Sequence, residues 1–249
     1  MSVFRFVCSA LTLSVVLPAC RDGIGPEDEL TRILESEHYT YRMSPGDQVD
    51  TLWQETYHDW LTAELGIAAR RKIEFYKYRD RSQLKRLTGE DTNGFAEPAA
   101  YRIHTIWPFD NHEVVHTVAV DRWGSTPALF SEGFAVAHQT VPLRNIYEPH
   151  WSGTAVHELA RQYLADDRIP ALDQLLESTG FRRFDPEITY PLAGSFVRYL
   201  IDTDGLDRVV EFISRSGSDD RADATRANFQ AAFGQEVEEA WGRWLTFLE

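Results

Sequence analysis

The sequence predicts an α+β protein that is mostly helical, with a small N-terminal strand region followed by a bundle of helices. The segments 72–78 and 101–107 alternate with the two-residue period that is typical of half-buried strands. From residue 111 onward, nearly every segment has the spacing of an amphipathic helix. Because the strands come first and the helices follow, the pattern favours α+β architecture over an alternating α/β fold.

The first part of the chain predicts short elements around one long helix. Apolar side chains from Val49 to Leu61 recur at helical spacing, and we interpret its aromatic residues as core. The Gly-, Asp- and Pro-rich segment before residue 100 is typical of a loop. The elements predicted before residue 111 are a helix-like segment at 27–37, a strand at 39–42, a helix at 49–61, a strand at 72–78, a short helix at 82–87, a loop at 88–99 and a strand at 101–107.

The second part of the chain predicts a succession of helices. They are 111–121, 127–140, 153–166, 170–178, 188–203, 206–215, 221–233 and 236–248. No internal repeat and no linker divides the chain after residue 21, so we expect residues 20–249 to form a single domain.

Length and charge exclude several classes of function. The chain has 249 residues, of which 43% are hydrophobic, and this is enough for one compact core. It carries 39 acidic and 25 basic residues, a net charge of −14 with neutral histidines. Such a field repels phosphate backbones, so we expect no nucleic-acid partner. No stretch of 18 apolar residues is present, which excludes a polytopic membrane protein.

The first twenty residues have the pattern of an export signal. Arg5 precedes the apolar segment 6–17, and Ala19 stands before Cys20. The pattern resembles a bacterial lipoprotein signal, which implies removal of residues 1–19 and a diacylglyceryl thioether on Cys20. The protein would then be exported to the cell envelope and held to a membrane by a lipid anchor. The alternatives are an uncleaved anchor and plain secretion with an unmodified cysteine.

A metal-binding pattern occupies the segment HEVVH at 112–116. His112 and His116 are four residues apart, so a helix places both imidazoles on one face, able to reach a single ion. Glu113 lies beside the first histidine and can approach a metal-bound water. The other positions are apolar, and burying two imidazoles and a carboxylate there is costly without a cation. The alternative is two ordinary core histidines beside a fortuitous glutamate.

The next predicted helix supplies a third ligand candidate. Glu132 is the one carboxylate in an apolar stretch and follows His116 by sixteen residues. Gly133 has no side chain, so this helix could pack closely beside the ligand. Two histidines and one glutamate leave an open fourth position on zinc, as a catalytic site needs. The alternative is a salt-bridged surface carboxylate.

The two motifs together resemble a known class of enzymes. HEVVH followed by SEGFA at 131–135 is similar to the gluzincin metallopeptidases, the group that includes thermolysin and the M1 aminopeptidases, and most similar to its compact peptidase MA-like bacterial members. The resemblance implies a zincin-like catalytic bundle with zinc bound by His112, His116 and Glu132. It also implies that Glu113 is the general base.

A further segment, which begins at Tyr190, resembles the part of the M1 aminopeptidases in which a tyrosine stabilises the tetrahedral intermediate. The resemblance implies the same catalytic role for Tyr190, and the alternative is a packing tyrosine. The M1 signature that binds a substrate's amino terminus is absent from the sequence. His104, His138 and His157 are expected to be packing or surface residues rather than ligands.

The expected function is therefore zinc-dependent hydrolysis of peptide bonds in a peptide or protein substrate. We expect the strand at 101–107 to form the edge of the cleft and to bind an extended peptide by strand addition. Two alternatives remain open. One is a catalytically inactive metal-binding lipoprotein that binds a partner through the cleft, and the other is a zinc hydrolase of a non-peptide amide.

Overall fold

The computed structural model describes residues 25–68 and 70–249, so the predicted signal at 1–19 and the predicted lipidation site Cys20 lie outside the described residues. Helices make up 57% and strands 12%, which confirms the mostly helical α+β class. Within the described ranges, no helix is both long enough and apolar enough to cross a membrane.

The strands are β1 (Arg32–Glu35), β2 (Tyr39–Met43), β3 (Ile73–Lys77), β4 (Gly94–Glu97), β5 (Arg102–Thr105), β6 (His150–Trp151) and β7 (Thr154–Ala155). The α-helices are α1 (Pro26–Glu29), α2 (Thr51–Leu65), α3 (Arg81–Thr88), α4 (Asn111–Trp123), α5 (Ala128–Ala137), α6 (Val156–Ala165), α7 (Leu172–Leu175), α8 (Ser178–Phe181), α9 (Pro186–Asp204), α10 (Leu206–Arg215), α11 (Ala222–Phe233) and α12 (Val237–Leu248).

Five strands form one mixed sheet in the order β1-β2-β3-β5-β4. The inner pairs β2–β3 and β3–β5 are parallel, and the outer pairs β1–β2 and β4–β5 are antiparallel. The prediction that the strand at 101–107 forms the edge is therefore wrong, because β5 lies between β3 and β4. The edge strand is β4, which pairs Gly94 with Thr105 and Glu97 with Arg102.

Two sequence predictions fail in this region for the same physical reason. The segment 88–99, expected to be a loop, contains β4, and the helix-like segment 27–37 gives only the short α1 followed by β1. All four residues of β1 are exposed, so no apolar face marks it in the sequence. Both strands exist because an inner strand just beyond the next turn, β2 for β1 and β5 for β4, offers them hydrogen bonds.

The helical part follows the sequence more closely. Helices form at seven of the eight predicted positions, with ends that differ by three residues or fewer. The eighth, predicted at 170–178, is divided into the single-turn helices α7 and α8. The segment between α5 and α6 contains one turn of 3-10 helix (Pro142–Arg144) and the small β6–β7 hairpin.

The main core joins one face of the sheet to the helices. Tyr39, Tyr41 and Phe75 point from β2 and β3 into this core, while Tyr76 and Tyr78 belong to a smaller cluster beneath α3. α4 follows β5 and packs against β4 on one side and α5 on the other. This arrangement places the HEVVH helix beside the open edge of the sheet.

Candidate metal centre

The orientation of α4 is set at its N-terminus by Asp110. The carboxylate Oδ1 of Asp110 accepts hydrogen bonds from the backbone amides of His112 at 3.0 Å and Glu113 at 2.9 Å. An aspartate at this position satisfies amides that have no partner within the helix and complements the positive end of its dipole. The cap holds the first turn, which carries two of the predicted site residues.

The structure brings the three predicted ligands together. Nε2 of His112 lies 3.1 Å from Nε2 of His116, and Oε2 of Glu132 lies 3.2 Å and 3.1 Å from these two nitrogens. In a tetrahedral site with bonds of 2.0–2.1 Å, donor atoms are separated by about 3.3 Å. The observed separations fit one ion bound by all three, and this group could hold a metal ion.

The ligand set is distinctive within the part of the chain described. Across residues 25–68 and 70–249, no other group of three His, Cys, Asp or Glu side chains brings one ligand atom each to within 4.8 Å of the others. Two imidazole nitrogens that converge on one carboxylate oxygen also give a mixed N/O donor set, which suits first-row divalent metals better than calcium or magnesium.

Glu132 is a buried carboxylate on an otherwise apolar helix. Nine of the ten residues of α5 are buried, and Glu132 is the one charged residue among them. Burial acts to raise the pKa of this carboxyl, but the imidazoles of His116 and His112 outweigh it and hold the pKa well below its ordinary value. Its second oxygen, Oε1, lies 3.6 Å from Nη2 of Arg182. Glu132 is therefore ionised at neutral pH, as a ligand must be.

Glu113 projects toward the cleft beside the ligands. Burial is the largest influence on its carboxyl and raises the pKa to about 8, helped by the nearby carboxylates of Asp110 and Glu132. The His112 imidazole and the backbone amide of Ala96 act in the opposite direction, and a bound cation would lower the pKa further. A carboxyl that titrates near neutrality is suited to take and return a proton.

Tyr190 lies on α9, across the site from α4. Its ring is 5.9 Å from the ring of His112, and it packs against Trp151 and Phe181. Burial raises the pKa of the Tyr190 hydroxyl above its ordinary value, so the group is protonated at neutral pH and can donate a hydrogen bond. The structure therefore brings all five predicted site residues (His112, Glu113, His116, Glu132 and Tyr190) to one place.

These residues line a cleft of about 1130 Å³. One wall is β4, from Gly94 to Ala96, and aromatic side chains including Trp107 form another part of the lining. Gly94 is close to the site, since a Cβ atom there would lie 3.2 Å from Oδ2 of Asp110 and 3.4 Å from Oε1 of Glu113. A side chain at this position would crowd both carboxylates.

The sequence reasoning missed two contributors to this site. Arg182 approaches Glu132 from the end of α8, and no local pattern marks it. Asp110 could have been recognised, because an aspartate immediately before a helix is a typical N-terminal cap. The site also depends on β4, which was predicted as loop.

The remaining histidines considered from the sequence lie elsewhere. His104 stacks on Phe95 and bonds the hydroxyl of Tyr78 at 2.7 Å. His138 is fully buried, and His157 bonds Oγ of Ser195 at 2.8 Å. None of the three joins the metal-binding group, in agreement with the expectation that they are packing or surface residues.

The chain matches no protein-family model, no curated protein and no solved structure.

Proposed function

We propose that the protein is a zinc-dependent peptidase of the gluzincin class with a zincin-like catalytic bundle. The observation that carries the proposal is the convergence of two imidazole nitrogens and one carboxylate oxygen within 3.2 Å, beside a carboxyl whose pKa is raised to about 8. A purely structural metal site needs four protein ligands and no adjacent base, whereas a catalytic site has three and keeps a position open.

In this proposal His112, His116 and Glu132 hold the zinc ion. When bound there, zinc supplies a Lewis acid for the scissile carbonyl and lowers the pKa of a water molecule to about 7. Glu113 accepts the proton of the attacking water and delivers it to the leaving amine. The hydroxyl of Tyr190 donates a hydrogen bond to the carbonyl oxygen as negative charge develops there.

Peptides are the substrate class that the surroundings of this site favour. Among the described residues β5 is the one strand that pairs with β4, so the other edge of β4 faces the cleft beside Glu113. An extended peptide can pair with such an edge through its own backbone, regardless of its sequence. Apolar side chains of the peptide would then contact the aromatic part of the cleft, where Trp107 is 51% exposed.

The test is the isosteric variant Glu113→Gln in the purified domain. We expect it to bind zinc as the wild type does and to lose cleavage of a mixed peptide library, because the amide cannot accept the proton. The matched control is Glu90→Gln, which changes an exposed glutamate on the lining of the same cleft and should leave cleavage unchanged.

Each alternative function has its own outcome in this test. A wild type that binds zinc and cleaves no peptide, but hydrolyses a cell-wall amide, would be a hydrolase of a non-peptide amide. A wild type that binds zinc and cleaves neither would be a metal-binding protein that recognises a partner through the cleft. Cleavage by Glu113→Gln at the wild-type rate would contradict the assignment of the base.

We also propose that this peptidase works in the cell envelope, anchored through Cys20 after removal of residues 1–19. The proposal depends on the signal pattern alone. Mass spectrometry of the mature N-terminus is expected to find a diacylglyceryl group on Cys20. The Cys20→Ser variant should then leave the membrane fraction, and an unmodified cysteine in the wild type would contradict the anchor.

A further inference from the structure

A buried glutamine on α2 binds the residue that caps the metal-binding helix. Nε2 of Gln54 donates to the backbone oxygen of Asp110 at 3.2 Å, and the backbone amide of Asp110 donates to Oε1 of Gln54 at 2.7 Å. The two residues are 56 positions apart, and Gln54 is completely buried. The side-chain amide therefore pairs with both backbone groups of Asp110, as a neighbouring strand would.

The orientation of the Gln54 amide is fixed by a third bond. Nε2 also donates to the hydroxyl of Tyr39 at 3.2 Å, and that hydroxyl bonds Nδ1 of His58 at 3.0 Å. Both Nε2 hydrogens are used and Oε1 accepts, so a flipped amide would place a donor against the Asp110 amide and an acceptor against the Asp110 oxygen. Every hydrogen-bonding group of the Gln54 side-chain amide is paired, and this favours one fixed orientation of the amide.

Two further contacts, between the start of α2 and the residues just before Asp110, reinforce the Gln54–Asp110 pair. The backbone amide of Asp50 donates to the oxygen of Pro108 at 2.8 Å, and the ring of Trp53 stacks on Phe109 with centroids 4.4 Å apart. The start of α2 therefore holds three consecutive residues, 108–110. These are the residues that lead directly into α4.

The position of Asp110 determines where the site residues point. Its carboxylate accepts hydrogen bonds from the backbone amides of His112 and Glu113. A displacement of Asp110 would therefore displace the first turn of α4 as well. Each residue turns a helix by about 100°, so a small rotation of the first turn moves both side chains relative to Glu132, which lies on a different helix. An error of about 1 Å in such a site is sufficient to weaken it.

We propose that Gln54 is a positioning residue for the metal centre: it holds Asp110, and through Asp110 the first turn of α4, so that His112 faces Glu132. The inference depends on the proposed function, because it concerns the same site. Gln54 contacts none of the three ligands through a hydrogen bond and acts through Asp110.

The experiment compares Gln54→Met with Gln83→Met in the same chain. Methionine has a similar length and lacks the amide. Gln83 is a matched control, since it is also buried and bonds the backbone amide of Arg79 and Oγ of Ser44, on the side of the sheet away from the cleft. Three quantities are measured for each variant: the thermal midpoint, the Kd for Zn²⁺ by chelator competition, and the visible absorption of bound Co²⁺.

We expect both variants to lose stability and only Gln54→Met to lose metal affinity. Removal of groups that orient metal ligands weakens binding by about 10–100-fold, so the Kd of Gln54→Met for Zn²⁺ should rise by about that factor. Its Co²⁺ spectrum should change shape, while Gln83→Met should keep the wild-type spectrum and a Kd within about twofold of wild type. Equal Kd values for Gln54→Met and wild type would overturn the proposal, as would an equal loss in Gln83→Met.

A milder variant keeps the proposal testable if Gln54→Met does not fold. Tyr39→Phe removes only the hydroxyl that orients the Gln54 amide, and we expect a smaller rise in the Kd for Zn²⁺, with an unchanged Kd overturning the proposal. Failure of the proposed function gives a different result. In that case the wild type binds Zn²⁺ without cleaving peptides, and the comparison of Kd values still decides the role of Gln54. A wild type without Zn²⁺ binding overturns both proposals.

Discussion

Gly133 of α5 packs against the backbone of Ala193 on α9 so closely that residue 133 has no room for a Cβ atom. A Cβ atom at residue 133 would lie 2.7 Å from the backbone oxygen of Ala193 and 2.6 Å from Cγ2 of Val197. On the other helix, a Cβ at Gly194 would overlap the side chain of Val136. The two helices therefore approach closely at the residue next to Glu132. Close packing at Gly133 was predicted from the sequence, but its partner α9 was not.

We expect Gly133→Ala to destabilise the protein and to weaken metal binding. The added methyl meets a backbone oxygen that cannot move independently, and overpacking of this kind costs about 1–3 kcal/mol of the free energy of unfolding. The control is Gly242→Ala, another helical glycine, with nothing within 4 Å of the added Cβ. It should be neutral or stabilising by up to about 1 kcal/mol. Urea denaturation of the two variants measures their stabilities, and chelator competition measures their Kd values for Zn²⁺; equal stability would contradict the close approach.

Zinc should stabilise the wild-type fold through the three converging ligands. A ligand at one hundred times its Kd adds about 2.7 kcal/mol, which for a chain of this size raises the thermal midpoint by about 5–10 °C. His116→Ala should abolish this increase, because one of three donors is missing. His157→Ala should retain it, since His157 bonds Ser195 away from the site. A zinc-dependent increase that survives in His116→Ala would rule out this ligand set.

The hydroxyl of Tyr190 should contribute to the chemical step and not to metal binding. We expect Tyr190→Phe to lower kcat for peptide cleavage by about 10²–10³-fold, the usual loss when one oxyanion donor is removed. The Kd for Zn²⁺ should stay within about twofold of wild type, since the phenyl ring keeps its packing against His112. Tyr163→Phe is the matched control, because that hydroxyl donates to the backbone oxygen of Glu187 near the start of α9. An unchanged kcat for Tyr190→Phe would limit this residue to packing.

Acid should destabilise the protein in part through His138. Burial is the main influence on this imidazole and lowers its pKa to about 4, with Arg198 acting in the same direction and the backbone oxygen of Phe134 opposing. The unfolded chain binds the proton near pH 6.5, and the folded protein binds it only near pH 4. The contribution of neutral His138 to the free energy of unfolding is therefore at its full value above about pH 6.5. It falls by about 3 kcal/mol as the pH decreases to about 4.

Nuclear magnetic resonance titration of the imidazole Cε1 proton measures the pKa of His138 directly. Urea denaturation at pH 7 and pH 4.5 measures the loss of stability, which should be smaller in His138→Gln. A midpoint above pH 6 for His138 would show that the imidazole is not held neutral by burial.

The metal-binding residues could be predicted because their geometry is local. His112 and His116 are one helical turn apart, so any α-helix at this position brings them together. The prediction of Glu132 as a ligand required one further assumption, that a short connection after α4 brings the next helix back beside it. The structure places the carboxylate of Glu132 within 3.2 Å of both imidazoles. The helices were predicted for the same reason, since their apolar periodicity is visible within a dozen residues.

The strand β4 and the residue Gln54 could not be predicted, because their roles depend on partners outside their own segments: β5 beyond the next turn for β4, and Asp110, 56 positions away, for Gln54. β4 has no alternating pattern of its own and forms because β5 offers it hydrogen bonds. Gln54 is one glutamine in an amphipathic helix, and only the packing of α2 against the start of α4 shows that its amide binds Asp110.

The sequence by itself determined which side chains can bind a metal ion, because ligand chemistry and helical spacing are properties of residues a few positions apart. Tertiary structure decided which strand lies open beside them, which arginine approaches Glu132 and which glutamine holds the first turn of α4. Those relationships arise from hydrogen bonds and packing between segments that meet only when the chain folds, and each depends on backbone groups whose positions no single segment specifies.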